Sequence, residues 1–193
     1  MPITSVCDDL LDGSNPNCEA LNKAAGINAR IWLTQLSQLS GYTVNGTTKD
    51  ISAFAMDTVS GAPGTLKKYI GKKFKNNASF PLTVGENVNT FNHTLAFAFY
   101  YSTSAELLVL QQLANADDLV AIVEGNDGKI LVYGVELGLN ASAGEGGTGT
   151  LLNDNTSYLI TLSGEQLSTP RYFNTHAGAT LAQNIAYLDG ISE

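Results

Sequence analysis

Thr90-Phe91-Asn92-His93-Thr94-Leu95-Ala96-Phe97-Ala98-Phe99-Tyr100-Tyr101 alternates between two kinds of side chain. Successive side chains of a strand point to opposite faces, so Phe91, His93, Leu95, Phe97, Phe99 and Tyr101 share one side. Thr90, Asn92, Thr94, Ala96 and Ala98 share the other. A helix would scatter the aromatic residues around its circumference. The period of two predicts a long strand with its large face in a core and its small face against a close neighbour.

Outward from that strand, Thr103-Ser104-Ala105-Glu106 fits a capping box. The Thr oxygen and the Glu carboxylate each reach back to backbone N–H groups left unpaired at a helix start. A helix over about residues 103–115 follows, with Leu107, Leu110 and Ala114 as its apolar stripe and Leu108 and Leu113 beside it. Leu119 to Val123 and Lys129 to Tyr133 flank Gly125-Asn126-Asp127-Gly128 and read as a β-hairpin. Residues 138–149 are rich in Gly and Ala and read as an inter-strand loop. Tyr158 to Ser163 is the last strong strand, closed by Gly164 and Pro170.

Upstream, Ile27 to Leu36 reads as the first strand, and Ile51 to Val59 continues the sheet. Between them Asn45-Gly46 predicts a two-residue hairpin, because both central residues must take positive φ. The sum is roughly eight strands and one internal helix without βαβ alternation, which predicts an antiparallel β-sandwich or barrel with a packed helix. Residues 27–173 form that domain. Residues 1–26 read as an N-terminal arm. Residues 174–193 read as a C-terminal tail with a short amphipathic helix through Leu181, Ile185 and Leu188. Neither end can bury a core of its own, so both are expected to be mobile in a free subunit and ordered on assembly.

The chain has 193 residues, 44 % of them hydrophobic, enough for one domain with its own core. Only 15 % are charged, a shortfall that fits either surface covered by neighbouring subunits or a soluble protein that uses Asn, Thr and Ser in place of charge. Eighteen acidic against ten basic residues give a net charge of −8, which disfavours a protein that grips nucleic acid through its phosphates. No apolar run is long enough for a membrane helix, and Met1-Pro2-Ile3-Thr4 starts no signal peptide, so the expected setting is the cytosol. Cys7 and Cys18 read as plain thiols, and with His93 and His176 they match no zinc spacing.

No enzyme signature is present. Gly144-x-Gly146-Gly147-x-Gly149 lacks the strand–turn–helix setting and the Gly-Lys-Ser/Thr ending of a phosphate loop. There is no Gly-x-Ser-x-Gly elbow, and the adjacent acidic pairs Asp8-Asp9 and Asp117-Asp118 point apart. The expectation is no catalysis, no cofactor and no metal.

One charge cluster stands out. Lys67, Lys68, Lys72, Lys73 and Lys75 place five of the ten basic residues within nine positions, around Tyr69, Ile70 and Phe74. Three readings compete: a nucleic-acid patch, a solvated strand, and an inter-subunit contact in which a basic hairpin meets acidic surface on a neighbour.

From Leu119 onward the order of elements carries a resemblance. Leu119-Val120-Ala121-Ile122-Val123-Glu124, Asn126-Asp127-Gly128-Lys129, Val132-Tyr133-Gly134, Gly146-Gly147-Thr148-Gly149, Leu152-Asn153-Asp154 and Leu159 to Glu165, ending in Pro170-Arg171-Tyr172-Phe173, resemble the C-terminal half of tail tube-like virion proteins. These occur in tailed bacteriophages of Bacteroidota hosts. Ile27-Asn28-Ala29-Arg30-Ile31-Trp32 and Cys18 extend the likeness to about residues 18–173. The resemblance implies a virion structural subunit that forms homo-hexameric rings and stacks them into a tube. Its partners would be its own copies and other tail proteins, and the genome would pass through without specific binding. The acidic balance suits that passage, since negative charge repels phosphates. The alternatives are another virion part of related fold (tail completion, neck or decoration protein) and a monomeric β-sandwich binding module. The single tryptophan, Trp32, falls within a strand, which weighs against the last.

Overall fold

The computed structural model describes residues 26–59, 62–71, 75–100, 103–147 and 157–192. The N-terminal arm up to residue 25, with Cys7 and Cys18, lies outside the described residues, as do Lys72 and Lys73.

In chain order the elements are β1 (Ile27–Gln35), β2 (Leu39–Val44), β3 (Ile51–Met56), β4 (Thr58–Val59), β5 (Ala62–Pro63), β6 (Lys67–Ile70), β7 (Asn77–Ser79) and β8 (Leu82–Thr83). The alternating stretch follows as β9 (Thr90–Tyr100), then α1 (Ser104–Ala114), β10 (Leu119–Gly125), β11 (Ile130–Tyr133) and β12 (Asn140–Glu145). The chain closes with β13 (Ser157–Gln166), β14 (Arg171–Tyr172) and α2 (Leu181–Gly190). The fold is mainly β and antiparallel, with α1 packed on it.

One sheet runs β14-β11-β10-β1-β6; the other runs β12-β13-β9-β7, with β8 also on β9. The side-chain period of two divides their residues between layers. Ile31 and Leu33 of β1 and Ala121 and Val123 of β10 meet Leu95, Phe97 and Phe99 of β9 between the sheets. Their sequence neighbours Trp32, Val120 and Ile122 point to the far side of the first sheet, where Ile51, Phe54, Phe173 and Leu188 cover them. The first sheet is thus buried on both faces. That explains why β10 has no polar alternation and is buried at every residue.

The far-side cover comes from the β2–β3 hairpin and α2. Residues past 173, read as a tail in need of a partner surface, find one on their own chain: Leu188 is fully buried there. Residues 174–192 thus dock within their own chain, on the apolar far face of the first sheet that they help to cover.

Three local expectations are corrected. The Asn45-Gly46 turn spans residues 45–50 and not two residues. Asn45 Oδ1 accepts from the N–H groups of Thr47 and Thr48, and the positive φ falls on Lys49. An Asx turn captured the chain before a two-residue turn could close. Ile51 to Val59 does not continue one sheet; β3 pairs with β2, and β4 pairs with β5. The Gly-rich stretch is not merely a loop, since Asn140–Glu145 forms β12 beside β13. Its glycines have a packing cause. A Cβ at Gly144 would lie 2.2 Å from the Tyr158 hydroxyl oxygen, and one at Gly146 would lie 2.4 Å from the Tyr158 ring.

The helix begins as its capping box predicts: Glu106 N–H donates to Thr103 Oγ1, and Thr103 N–H donates to the Glu106 carboxylate at 2.8 Å. Thr103→Ala should therefore cost about 1 kcal/mol, read by denaturant unfolding. The apolar stripe is only half used. Leu110 and Leu113 are buried between the sheets, while Leu107, Leu108 and Val109 face outward.

Candidate assembly surfaces

The lysine cluster divides along β6. Alternation sends consecutive residues to opposite faces, so Lys67 and Lys68 part company. Lys68 Nζ lies 2.7 Å from Asp189 Oδ2 and 5.8 Å from the Trp32 ring centroid, while Trp32 Nε1 donates to Asp189 Oδ1 at 3.0 Å. Burial pushes the Asp189 carboxyl up, but the hydrogen bonds from Lys68 and Trp32 and the charges of Lys68 and Arg30 outweigh it and hold it below its usual range. Lys68 is thus a clasp for α2 within the chain. Lys67 is exposed on the opposite face beside Tyr69 and Gln112, and Lys75 is exposed past the end of β6. Among the described residues, Lys67, Lys68 and Lys75 form no single patch. Lys68→Glu should set two carboxylates against each other and cost about 1–2 kcal/mol, well above the small effect of Lys68→Ala. Trp32 fluorescence during urea unfolding reads both.

His93 lies on the core face of β9 and is buried. Its Nδ1 accepts from Gly134 N–H at 3.2 Å, which puts the ring proton on Nε2, 3.0 Å from the Ser168 carbonyl. Tyr133 meets the ring edge-on. Burial lowers the imidazole's proton affinity; the Ser168 carbonyl and the Glu136 charge oppose this without reversing it. This is a structural histidine holding the 134–138 turn. Because the folded state resists protonation, its contribution is present above the ordinary value of 6.5 and is lost as pH falls below it. The melting temperature should fall on acidification from pH 6.5, and His93→Gln should flatten the first part of that fall.

Around the same turn, Gln166 accepts from the N–H groups of Glu136 and Leu137 and donates to the Gly138 carbonyl. The Glu136 carboxylate accepts from Ser168 Oγ at 2.7 Å and from Leu167 N–H at 3.1 Å. These contacts of Gln166 and Glu136 hold loops together, and Arg171 adds an ion pair to Glu136 at 3.5 Å. Among the described residues, no three His, Cys, Asp or Glu side chains gather as metal ligands, and no helix is long and apolar enough to cross a membrane. Three surface clefts among the described residues hold about 270, 220 and 250 Å³, below the roughly 300–1,000 Å³ of small-molecule sites.

The chain matches no family model, no curated protein and no solved structure.

Two kinds of surface are unusual. The outer face of the second sheet carries uncharged and mostly small side chains: Thr94, Ala96 and the buried Ala98 on β9 sit opposite Ser163, Thr161 and Leu159 on β13, and Asn77 and Ser79 of β7 extend the face. Its charges are at the rims, Glu165 opposite Asn92 and Glu145 opposite Leu159. Both are acidic.

The second kind is exposed apolar side chains, which gather at the two ends of β9. At its start lie Phe80, Leu82, Val84 and Val88 on the β8–β9 hairpin, with Leu137 and Leu167 on the turns beside Gln166. Near its finish lie Ile70 and the outward residues Leu107, Leu108 and Val109 of α1. Ile70 is 68 % exposed and Val84 77 %. The alternation of β9 foretold the small face, but the apolar ends were not foretold, because the period-two run Phe80, Leu82, Val84 is short and broken by Pro81 and Gly85, and the α1 stripe read as core.

Proposed function

We propose that the chain is a virion structural subunit, a tail tube protein whose copies form six-fold rings that stack into a conduit for a phage genome. It acts without catalysis or cofactor, in the tail of a virion assembled in the host cytoplasm, with its own copies and other tail proteins as partners. The observation that carries this reading is the gathering of exposed large apolar side chains at opposite ends of β9. Single exposed apolar residues are ordinary on a monomer, whereas patches mark interfaces. Two different patches at opposite ends suit contacts that repeat without closing after one pair.

The outer face of the second sheet supports the conduit. A wall of uncharged side chains carries no cation to hold phosphates, and the rim residues Glu145 and Glu165 repel them. This face is taken as the lumen wall. The test is Thr161→Cys, with Cys7→Ser and Cys18→Ser as background. A small maleimide should modify Thr161→Cys in dilute protein and in tubes, and a bulky polymer maleimide only in dilute protein. Equal modification by the bulky reagent in assembled particles would remove this face from the lumen.

A further inference from the structure

Resting on the reading of the chain as a self-stacking subunit, we infer that the tip of the β8–β9 hairpin of one copy inserts into the cleft between β6 and α1 of the next copy.

The hairpin is built to project. Residues Phe80 to Asn89 are exposed without interruption, four of them are large apolar residues, and Glu86 is their single charge. Their base is fixed, since Leu82 pairs with Phe91 and Asn92 N–H donates to the Pro81 carbonyl at 3.0 Å. The tip is tight: a Cβ at Gly85 would lie 2.4 Å from the Val88 carbonyl oxygen, so the backbone folds back on itself between the exposed Val84 and Val88.

The cleft suits such a knob. Tyr69, Ile70, Phe99, Val109 and Leu110 line about 250 Å³. Its two charged groups are already engaged, Lys68 by Asp189 at 2.7 Å and Glu106 by Thr103 at 2.8 Å, so what remains open is apolar. β6 is the last strand of its sheet among the described residues, so an extended segment entering there also meets a strand edge.

The hairpin cannot fill the cleft of its own chain. It leaves β9 at Thr90, whereas the cleft takes Phe99 from the other end of that strand, roughly 30 Å away at about 3.3 Å per residue. Each copy therefore offers one knob and one socket on opposite ends. That contact is heterologous, and it propagates. A small apolar ligand or a different protein in the cleft are the outcomes the test must separate.

The experiment uses two variants of the full chain, one without the knob (Val84→Asp/Val88→Asp) and one without the socket (Ile70→Asp/Val109→Ser). All four positions are at least partly exposed, so both chains should fold, which circular dichroism checks. Should the socket variant fail to fold, Ile70→Asp alone replaces it. At a concentration where the unaltered chain is fully assembled, each variant alone should lose stacking. Mixed, they should form a one-to-one contact through the single intact knob and socket, without longer stacks, as read by mass photometry. Variants that stack like the unaltered chain overturn the insertion and leave the tube reading standing, as do variants that fail to stack and also fail to pair when mixed. An unaltered chain that never self-associates overturns both.

Discussion

Trp32→Ala is expected to cost about 3–5 kcal/mol of unfolding free energy, the range for emptying a large aromatic site in a packed core. Trp32 is fully buried and lies on the face of the first sheet that α2 and the β2–β3 hairpin cover. Its removal takes away the ring under Lys68 and the N–H that meets Asp189, so the clasp on α2 loosens together with the packing. A domain with a total stability of about 5–15 kcal/mol would lose a fifth or more of it. Trp32→Phe keeps most of the volume and should cost about 1–2 kcal/mol, chiefly the hydrogen bond and residual space. Urea unfolding followed by circular dichroism gives both numbers. A loss below about 1 kcal/mol for Trp32→Ala would mean that α2 and the hairpin do not cover this face.

The second large effect concerns Gly138, where the chain turns from β11 into β12. Its φ is +75°, and a Cβ there would lie 2.4 Å from the Asp118 backbone, itself at a φ of +52°. Neither contact atom is the end of a flexible side chain that could swing away. Gly138→Ala should therefore combine backbone strain with overpacking, about 2–4 kcal/mol in all. Gly178 separates the two contributions. It has a φ of +80° with nothing within 4 Å of its Cβ position, so Gly178→Ala carries strain alone, about 1 kcal/mol. Equal costs at the two sites would show that the 118 and 138 loops do not approach as described.

Much of the fold was legible because burial was written as periodicity. The alternation across residues 90–100 marked β9, the capping box marked the first residue of α1, and the Gly-Asn-Asp-Gly turn marked the β10–β11 hairpin. Legibility failed where a distant partner decided the matter. Gly144 and Gly146 read as loop residues because Tyr158, whose ring lies across them, is more than ten residues away in sequence. The β10 run shows no alternation because both faces of its sheet are covered, and the second cover, α2, comes from the far end of the chain. The lysine cluster divides for a related reason. Composition groups Lys67 with Lys68, whereas the strand turns one toward Asp189 and the other away. Exposure of Leu107, Leu108 and Val109 could not be read from α1 alone, since an apolar stripe does not say how much of it a single chain covers.

The central claim is open-ended self-association, and negative-stain microscopy of the purified full-length chain, paired with sedimentation velocity over a range of concentrations, tests it most directly. The account predicts six-fold rings at moderate concentration and tubes of stacked rings in concentrated stock, with sedimentation rising steeply as concentration rises. A single species of one-chain mass across the whole range, with no rings in the concentrated stock, would contradict it.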